Sequence, residues 1–546
     1  MSGEVPVRAQ CLPFAQIPHT TRLFIDYLAY APEVRPFYPR SPQFEEWVRE
    51  EKPAARYDAQ RRARVADALE RQNRLWGASE TTLANIQRLR GGASAVLTGQ
   101  QVGLFGGPMF ALYKALTAVK LADQATAAGV EAIPIFWLAT NDHDLAEVNH
   151  ISLAGLDGQL RIFATSSQGV PSAPVGTVAL NEEIKAVIGE AVELLGDSEV
   201  STFLRDSYRP GDTLGSAFAR LYAKLFAKWG VVLLDPCQPD IQSIAQPMYA
   251  AAIERAEELD SELLSRGKAL EAAGYHQQAK VTSSSTLLFT MKDGARIAIH
   301  RRMNGNGAGE FMIGEEKLSK NELLRRIQEA PQDFSPNVLL RPIVQDYLLP
   351  TLAYTGGSAE VAYFAQVGVV YEALLGHITP VVPRFTATLV EPKEERLLEK
   401  YKIGFADVLR GPDELRQGLA RRTLPEDVDA AFEGANQALE ESIATLRRAL
   451  TVLDPTLVDA LTGAQSKMTY QLSRLQGQAA RAQLQKSEVL GRHASQLSNS
   501  LFPDKILQER QIGGLSFLAR HGLGLLDDLY GVIHTDCHDH QVVTLT

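Results

Sequence analysis

Ala93-Ser94-Ala95-Val96-Leu97-Thr98-Gly99-Gln100-Gln101-Val102-Gly103-Leu104-Phe105-Gly106-Gly107-Pro108 opens the stretch that decides the fold. Its first five residues are a short apolar run that predicts a buried strand. A glycine-rich turn follows. Beyond Pro108 the apolar residues Met109, Leu112, Tyr113, Leu116, Val119 and Ala122 recur at helical spacing. Pro108 suits the first helical turn, where its missing N–H costs nothing, and Gly129 supplies a stop. Ile133-Pro134-Ile135-Phe136-Trp137-Leu138 then predicts a second buried strand. Strand, turn, helix, strand is a βαβ unit, and such units build parallel sheets.

Working outward, Val231-Val232-Leu233-Leu234 is a third buried run, preceded by helical spacing over 216–229 and ending in Asp235-Pro236. Hairpins are expected at 151–163, about Asp157-Gly158, and at 286–300, turning at Asp293-Gly294. They read as parts of β-rich insertions over about 151–215 and 280–330. The parallel sheet is expected to resume with 361–366 and 378–382, while the polar, Arg-rich stretch 41–90 reads as surface helices. Past Glu391 the composition shifts toward Leu, Ala, Gln, Glu and Arg. Val428, Phe432, Ala435, Leu439, Ile443, Leu446 and Leu450 step by three and four, as do Leu457, Leu461, Ala464, Met468, Leu472, Leu475, Ala479 and Ala482. Asp454-Pro455 between them supplies a cap and a first-turn proline. Two long antiparallel helices with a narrow coiled-coil seam are expected, and so narrow a seam favours a homodimer. The chain thus divides into an α/β core over 1–390, a helical coiled-coil domain over 391–510, and a tail over 511–546 that returns to the core.

At 546 residues, 45% hydrophobic and 22% charged, the chain is long enough for more than one domain and ordinary for a folded soluble protein. A net charge of −10 argues against a nucleic-acid partner, because phosphate neutralisation needs basic patches. The opening residues lack the apolar core of a secretory leader, and no apolar run approaches a membrane span. Cys11, Cys237 and Cys537 share no spacing and predict no disulfide framework, which fits a cytoplasmic location. Cys237, after a buried strand, reads as a small apolar residue.

Three segments carry candidate chemistry. In the first, Gly99, Gly103, Gly106 and Gly107 would let backbone N–H groups approach a phosphate or carboxylate at a helix N-terminus. Thr98, Gln100 and Gln101 would add side-chain hydrogen bonds, and Lys114 would reach back toward the anion. The alternative is a tight turn that needs glycines for its own geometry. No Walker loop or dinucleotide fingerprint is present. The second is Thr140-Asn141-Asp142-His143-Asp144-Leu145-Ala146-Glu147-Val148-Asn149-His150. On a helix His143, Glu147 and His150 would share a face at metal-ligand spacing. Asp142 and Asp144 could instead hold an ammonium group or act as bases, and Asp144 with Glu147 also fits a helix cap. The third contains Asn337, Arg341 and Gln345, followed by Gly356-Gly357 and by Arg384. Both arginines suit carboxylate or phosphate, or a structural ion pair. Lys317-Leu318-Ser319-Lys320 reads as a helix cap completed by Glu322. The tail residues His534, Cys537, His538 and His540 read as a polar terminus or, by residue type, a zinc site.

The strings LTGQQVGLFGGPMFALYKALTAVKLA, PIFWLATNDHDLAEVNH, FSPNVLLRPIVQDYLLPTLAY and PVVPRF together resemble the bacillithiol cysteine-ligase family. VVLLDP, GYHQQ and SLFPDKILQER extend the likeness over most of the chain. The resemblance implies a Rossmann-like core with inserted segments, a coiled-coil domain that makes a dimer, and the addition of cysteine to glucosaminyl-malate as the last step of bacillithiol synthesis. It carries no catalytic residue with it. The chemistry supplies its own requirements: a carboxylate must be activated before an amine attacks it, through an acyl-adenylate or acyl-phosphate, which calls for ATP, with magnesium accompanying the nucleotide. A base must also take the amine proton. Asp142, His143, Asp144 and Glu147 are the expected catalytic group. Residues 98–114, Asp235, Asn337, Arg341, Gln345 and Arg384 are the expected binding group for nucleotide and substrate. The alternatives are a metal-dependent hydrolase of a thiol conjugate and a non-catalytic coiled-coil scaffold.

Overall fold

A computed structural model gives the structure of the chain; it describes residues 7–155, 158–167, 169–303, 309–486 and 488–545. The chain forms two compact units, one of Met1–Ala387 with Glu509–Gln541 and one of Thr388–Gln508 with Val542–Thr546.

The first unit is built on five parallel strands: β1 (Ser94–Gln100), β2 (Ala132–Leu138), β3 (Val232–Leu234), β4 (Thr351–Gly356) and β5 (Val381–Pro383). They lie in the order β3-β2-β1-β4-β5. This Rossmann-like order reverses between β1 and β4, where open α/β sheets place their ligands. Every residue of β2 and β4 is buried, as parallel strands covered on both faces require. Helix α1 (Phe110–Ala127) completes the first βαβ unit, with Ala118, Leu121, Ala122 and Ala125 packed against Val96, Ala353 and Val382 of three strands. Phe44, Trp47 and Val48 fill the same cluster. Helix α2 (Leu214–Leu225), held at its start by a Thr213/Ser216 capping box, leads toward β3.

The expectation of a strand over 361–366 is corrected. The strand is β4 itself, and those residues belong to α4 (Ser358–Leu375), which is preceded by α3 (Arg341–Leu348). Helix α4 is buried over most of its circumference, including Val361, Phe364, Ala365, Val367 and Tyr371. A helix wetted on no face carries no amphipathic period, so its sequence imitates a buried strand.

Both hairpins form. His150–Ala154 pairs antiparallel with Leu160–Ala164, although the turn residue Asp157 lies outside the described residues. Ser285–Lys292 pairs with Ala295–Met303 about Asp293 and Gly294, both at positive φ, inside a five-stranded sheet that ends on Phe334–Pro336. Ser319 caps the helix Lys320–Glu329 by accepting from the Glu322 N–H.

The tail is not a wholly solvated terminus. His534 is exposed, but His538 is half-buried and His540 buried, with the His540 ring hydrogen-bonded to Thr386 Oγ1 at 2.8 Å. No described helix is long and apolar enough to cross a membrane.

In the second unit, α5 (Glu426–Leu453) and α6 (Leu457–Lys486) form a helical hairpin, turned at Asp454, whose carboxylate accepts from Thr456. Ile443 and Leu461 are buried in its seam, whereas Leu446, Met468 and Leu475 are each about half exposed.

Candidate functional site

A cavity of about 690 Å³ opens at the carboxyl ends of β1 and β4, at the reversal of strand order. Gly99, Gln100, Tyr354 and Gly357 line it from the sheet. Gly99 has to be small, since a Cβ there would lie 3.2 Å from the Trp137 carbonyl oxygen and 3.5 Å from the Tyr354 hydroxyl.

Lys114 comes from the second turn of α1 and is almost fully buried. Its ammonium donates to Gly99 O at 2.9 Å, to Gln100 Oε1 at 2.8 Å and to Glu360 of α4. Those three acceptors use its three protons, so Lys114 holds the floor of the cavity together. Burial lowers the Lys114 pKa against the pull of Glu360. For Glu360, burial raises the pKa, but the Lys114 ammonium outweighs it and brings the carboxyl down to about 2. Glu360 Oε2 also accepts from the Gly357 N–H at 3.0 Å, fixing the turn between β4 and α4.

The acidic segment after β2 forms a second wall. The expected shared helical face does not form: the helix covers only Leu145–Val148, His143 precedes it, and His150 begins a strand. Asp144 is its N-cap, accepting from the Glu147 N–H at 3.3 Å, and is therefore turned to capping. Asp142 and Glu147 face the cavity together, because Gln101 Nε2 donates to both carboxylates at 2.7 Å. His143 meets a residue that sequence reasoning missed. Arg296, from the insertion sheet, lies with its guanidinium carbon 3.8 Å from the Phe289 ring centroid. It donates to Ser335 Oγ and the Pro336 carbonyl, and its Nη1 stands 3.3 Å from His143 Nδ1. A guanidinium only donates, so in this contact Nδ1 is the acceptor. Burial lowers the Arg296 pKa to about 10, which leaves it charged at neutral pH.

The two arginines of the third segment separate. Arg384 is buried and paired with Glu509, at 2.6 Å for the shortest contact, although it also reaches the cavity. Arg341 donates to Gln345 Oε1 at 2.8 Å and Tyr363 Oη at 2.7 Å. Among the described residues the cavity-lining Arg341, Arg296 and Arg510 make no ion pair. Asn337 lines the cavity and stops the chain ahead of α3, accepting from the Leu339 and Leu340 N–H groups at 3.0 Å.

Several expected binding residues lie elsewhere. Gly103, Gly106 and Gly107 do not line the cavity, and their N–H groups go to Gln101 O, Tyr208 Oη and Leu104 O. Phe105, Gly106 and Gly107 all have positive φ, a turn clasped by Tyr208 and Tyr222. The glycines serve the turn, and the ligand-facing part of the loop is Gly99-Gln100-Gln101. Thr98 is buried and donates to Thr355 O. Gln345 supports Arg341 from behind. Asp235 accepts from the Thr140 hydroxyl and the Cys237 N–H, and burial raises its pKa. Of the residues missed, Glu360 had a readable signal, a Gly-Gly turn followed by an acidic residue in a first helical turn. Arg296 had none, because its side-chain hydrogen-bond partners come from 39 residues and more away.

Among the described residues, no three His, Cys, Asp or Glu side chains gather as metal ligands.

Residues 7–385 match the family described as bacillithiol biosynthesis BshC, N-terminal Rossmann-like domain, and residues 387–545 match its C-terminal coiled-coil domain. A relative from Koribacter versatilis, named "Putative cysteine ligase BshC", is 48% identical over 98% of this chain and 99% of its own length. Relatives of the same name are 34% identical in Solibacter usitatus, over 98% of this chain and 99% of theirs, and 34% identical in Salinibacter ruber, over 95% and 96%. With the two family models matching residues 7–385 and 387–545 and the Rossmann-like sheet in place, the chain belongs to the bacillithiol biosynthesis BshC family.

Proposed function

We propose that this chain is a cytoplasmic ligase that joins the carboxyl group of L-cysteine to the amine of glucosaminyl-malate, forming an amide in the last step of bacillithiol synthesis. The observation that carries the reading beyond family membership is the make-up of the switch-point cavity. It sets two carboxylates held side by side, Asp142 and Glu147, in one chamber with three guanidinium groups, Arg341, Arg296 and Arg510, that make no ion pair among the described residues. A substrate set carrying both ammonium groups and carboxylates or phosphates needs both kinds of partner.

Asp142 and Glu147 are suited to an ammonium group, and Asp142 to taking the proton that the attacking amine gives up. With Arg296 on Nδ1, His143 is suited to donating from Nε2 toward the cavity. Arg341, Arg296 and Arg510 fit the malate carboxylates and the phosphates of an activating nucleotide, taken to be ATP. The nucleotide supplies the leaving group on the cysteine carboxyl. The residues fit that role in that the guanidiniums answer phosphate charge. The half-exposed Leu446, Met468 and Leu475 on the α5–α6 hairpin support a homodimer through the coiled coil, which light scattering reads directly. Purified protein incubated with cysteine, glucosaminyl-malate and ATP tests the function: mass spectrometry should find the cysteine amide, and ATP hydrolysis without it, or no reaction, would contradict the proposal.

A further inference from the structure

Cys11 and Cys537 lie 526 residues apart in sequence, yet their sulfur atoms stand 2.6 Å apart. Other contacts join the same two segments. The Phe14 N–H donates to Asp539 Oδ1 at 3.3 Å, and the Phe14 ring meets His540 edge-on with centroids 6.3 Å apart. Gln124 of α1 donates to Thr535 Oγ1 at 2.7 Å. The stretch 535–540 is therefore held beside the first strand, Arg8–Leu12, with the two thiols facing each other. Cys11 is exposed and Cys537 half-buried, so a small molecule in solution reaches the pair. Cys237 is placed differently, with its N–H on Asp235 and its thiol pushed up to about 12 by burial and then by Asp235.

We infer that Cys11 and Cys537 form a reversible intrachain disulfide, a redox-sensitive clasp that ties the N-terminal strand to the C-terminal tail when low-molecular-weight disulfides accumulate. One protein thiolate attacks a small disulfide, forming a mixed disulfide and releasing one small thiol. The other protein thiolate then attacks the mixed disulfide at the protein sulfur and releases the second small thiol. Two protein thiols are oxidised by two electrons, one small disulfide is reduced to two thiols, and the two protons pass to those thiols. Exposed disulfides in a reducing compartment belong to the labile, regulatory kind. The clasp also bears on the wall of the cavity, since His540, three residues beyond Cys537, binds Thr386, two residues beyond Arg384. Burial, the hydrogen bond with Cys537, and the charges of Cys537, Asp539 and Asp536 push the Cys11 thiol up to about 12. Exchange through Cys11 is therefore slow at neutral pH and faster as pH rises. The inference is independent of the ligase reading.

The test uses the full-length purified chain treated with glutathione disulfide at pH 8, blocked with N-ethylmaleimide, and digested without reduction for mass spectrometry. The expected result is a Cys11–Cys537 cross-linked peptide and titratable thiols falling from three to one, both reversed by dithiothreitol. The melting temperature of the oxidised chain should rise by a few degrees, because the bridge closes a very long loop in the unfolded chain. Cys11→Ser and Cys537→Ser should each accept a single glutathione and show no rise. Stable glutathione adducts on wild-type Cys11 or Cys537, cross-links between chains, three unreacted thiols, or a cross-linked chain that melts like the reduced one would each overturn the inference.

Discussion

Lys114 and Glu360 form a buried ion pair across the reversal of strand order, each from the helix that follows one of the two diverging strands. The pair ties β1 to β4 at the point where the cavity opens. Removing one partner strands a buried charge, so Lys114→Met should cost about 3–5 kcal/mol of stability. Lys114→Met combined with Glu360→Gln should recover at least about 1 kcal/mol of that loss. Urea unfolding of the wild type, both single variants and the double variant checks the coupling.

Arg341 and Arg384 should respond in opposite ways. Arg384 has its carboxylate partner within the protein, so Arg384→Gln should lower stability by about 3–5 kcal/mol through the stranded Glu509. Arg341 makes no ion pair among the described residues, so Arg341→Gln should leave the melting temperature within a few degrees of wild type. Its affinity for the anionic substrate or nucleotide should fall about tenfold to hundredfold. Calorimetric titration beside thermal melting reads both arms.

The acidic wall gives a graded expectation. Asp142→Asn should lower turnover by about two to four powers of ten if Asp142 takes the amine proton. Glu147→Gln should chiefly raise the cysteine requirement, because it weakens the ammonium partner and leaves the base in place. Asp144→Asn should cost at most about 1 kcal/mol and leave turnover intact, since Asp144 caps the short helix. Steady-state kinetics on the three variants separates these roles, and near-normal turnover in Asp142→Asn would remove it as the base.

The sheet was legible where sequence signals are local. Strands β1, β2 and β3 are apolar runs bounded by turns, and α1, although buried without a break over 111–119, was marked off by Pro108 before it and Gly129 after it. Helix α4 was not legible, because burial on most sides erased the period that distinguishes helix from strand. At the site, Asp142, Glu147 and Arg341 stood out by residue type beside strand ends or helix starts. The glycines drew attention for a conformational reason and proved to serve the turn, since sequence shows that φ must be positive without showing which N–H groups remain free. Arg296 and the Cys11–Cys537 contact depend on elements brought together from distant parts of the chain, which no local pattern records.

The buried tail predicts acid sensitivity. Burial lowers His538 and His540 from the ordinary 6.5 to about 4, so both are neutral in the folded chain. Their contribution is complete above pH 6.5 and is lost as the pH falls toward 4, because the unfolded chain then binds protons that the folded chain does not. Each can account for up to about 3 kcal/mol. Between pH 7.5 and 4.5 the wild type should lose more stability than His540→Gln, as measured by urea midpoints; parallel profiles would contradict this assignment.

If the cavity at the reversal of strand order activates the cysteine carboxyl and passes it to an amine, the two carboxyl oxygens must part company. Cysteine labelled with ¹⁸O in both carboxyl oxygens, reacted with glucosaminyl-malate, ATP and the purified chain, tests it most directly. One label should be retained in the amide carbonyl and one transferred to AMP or to phosphate, in equal amount to the amide formed. An amide formed with no label in either nucleotide-derived product would contradict nucleotide activation, and intact ATP with no amide would contradict the ligase reading itself.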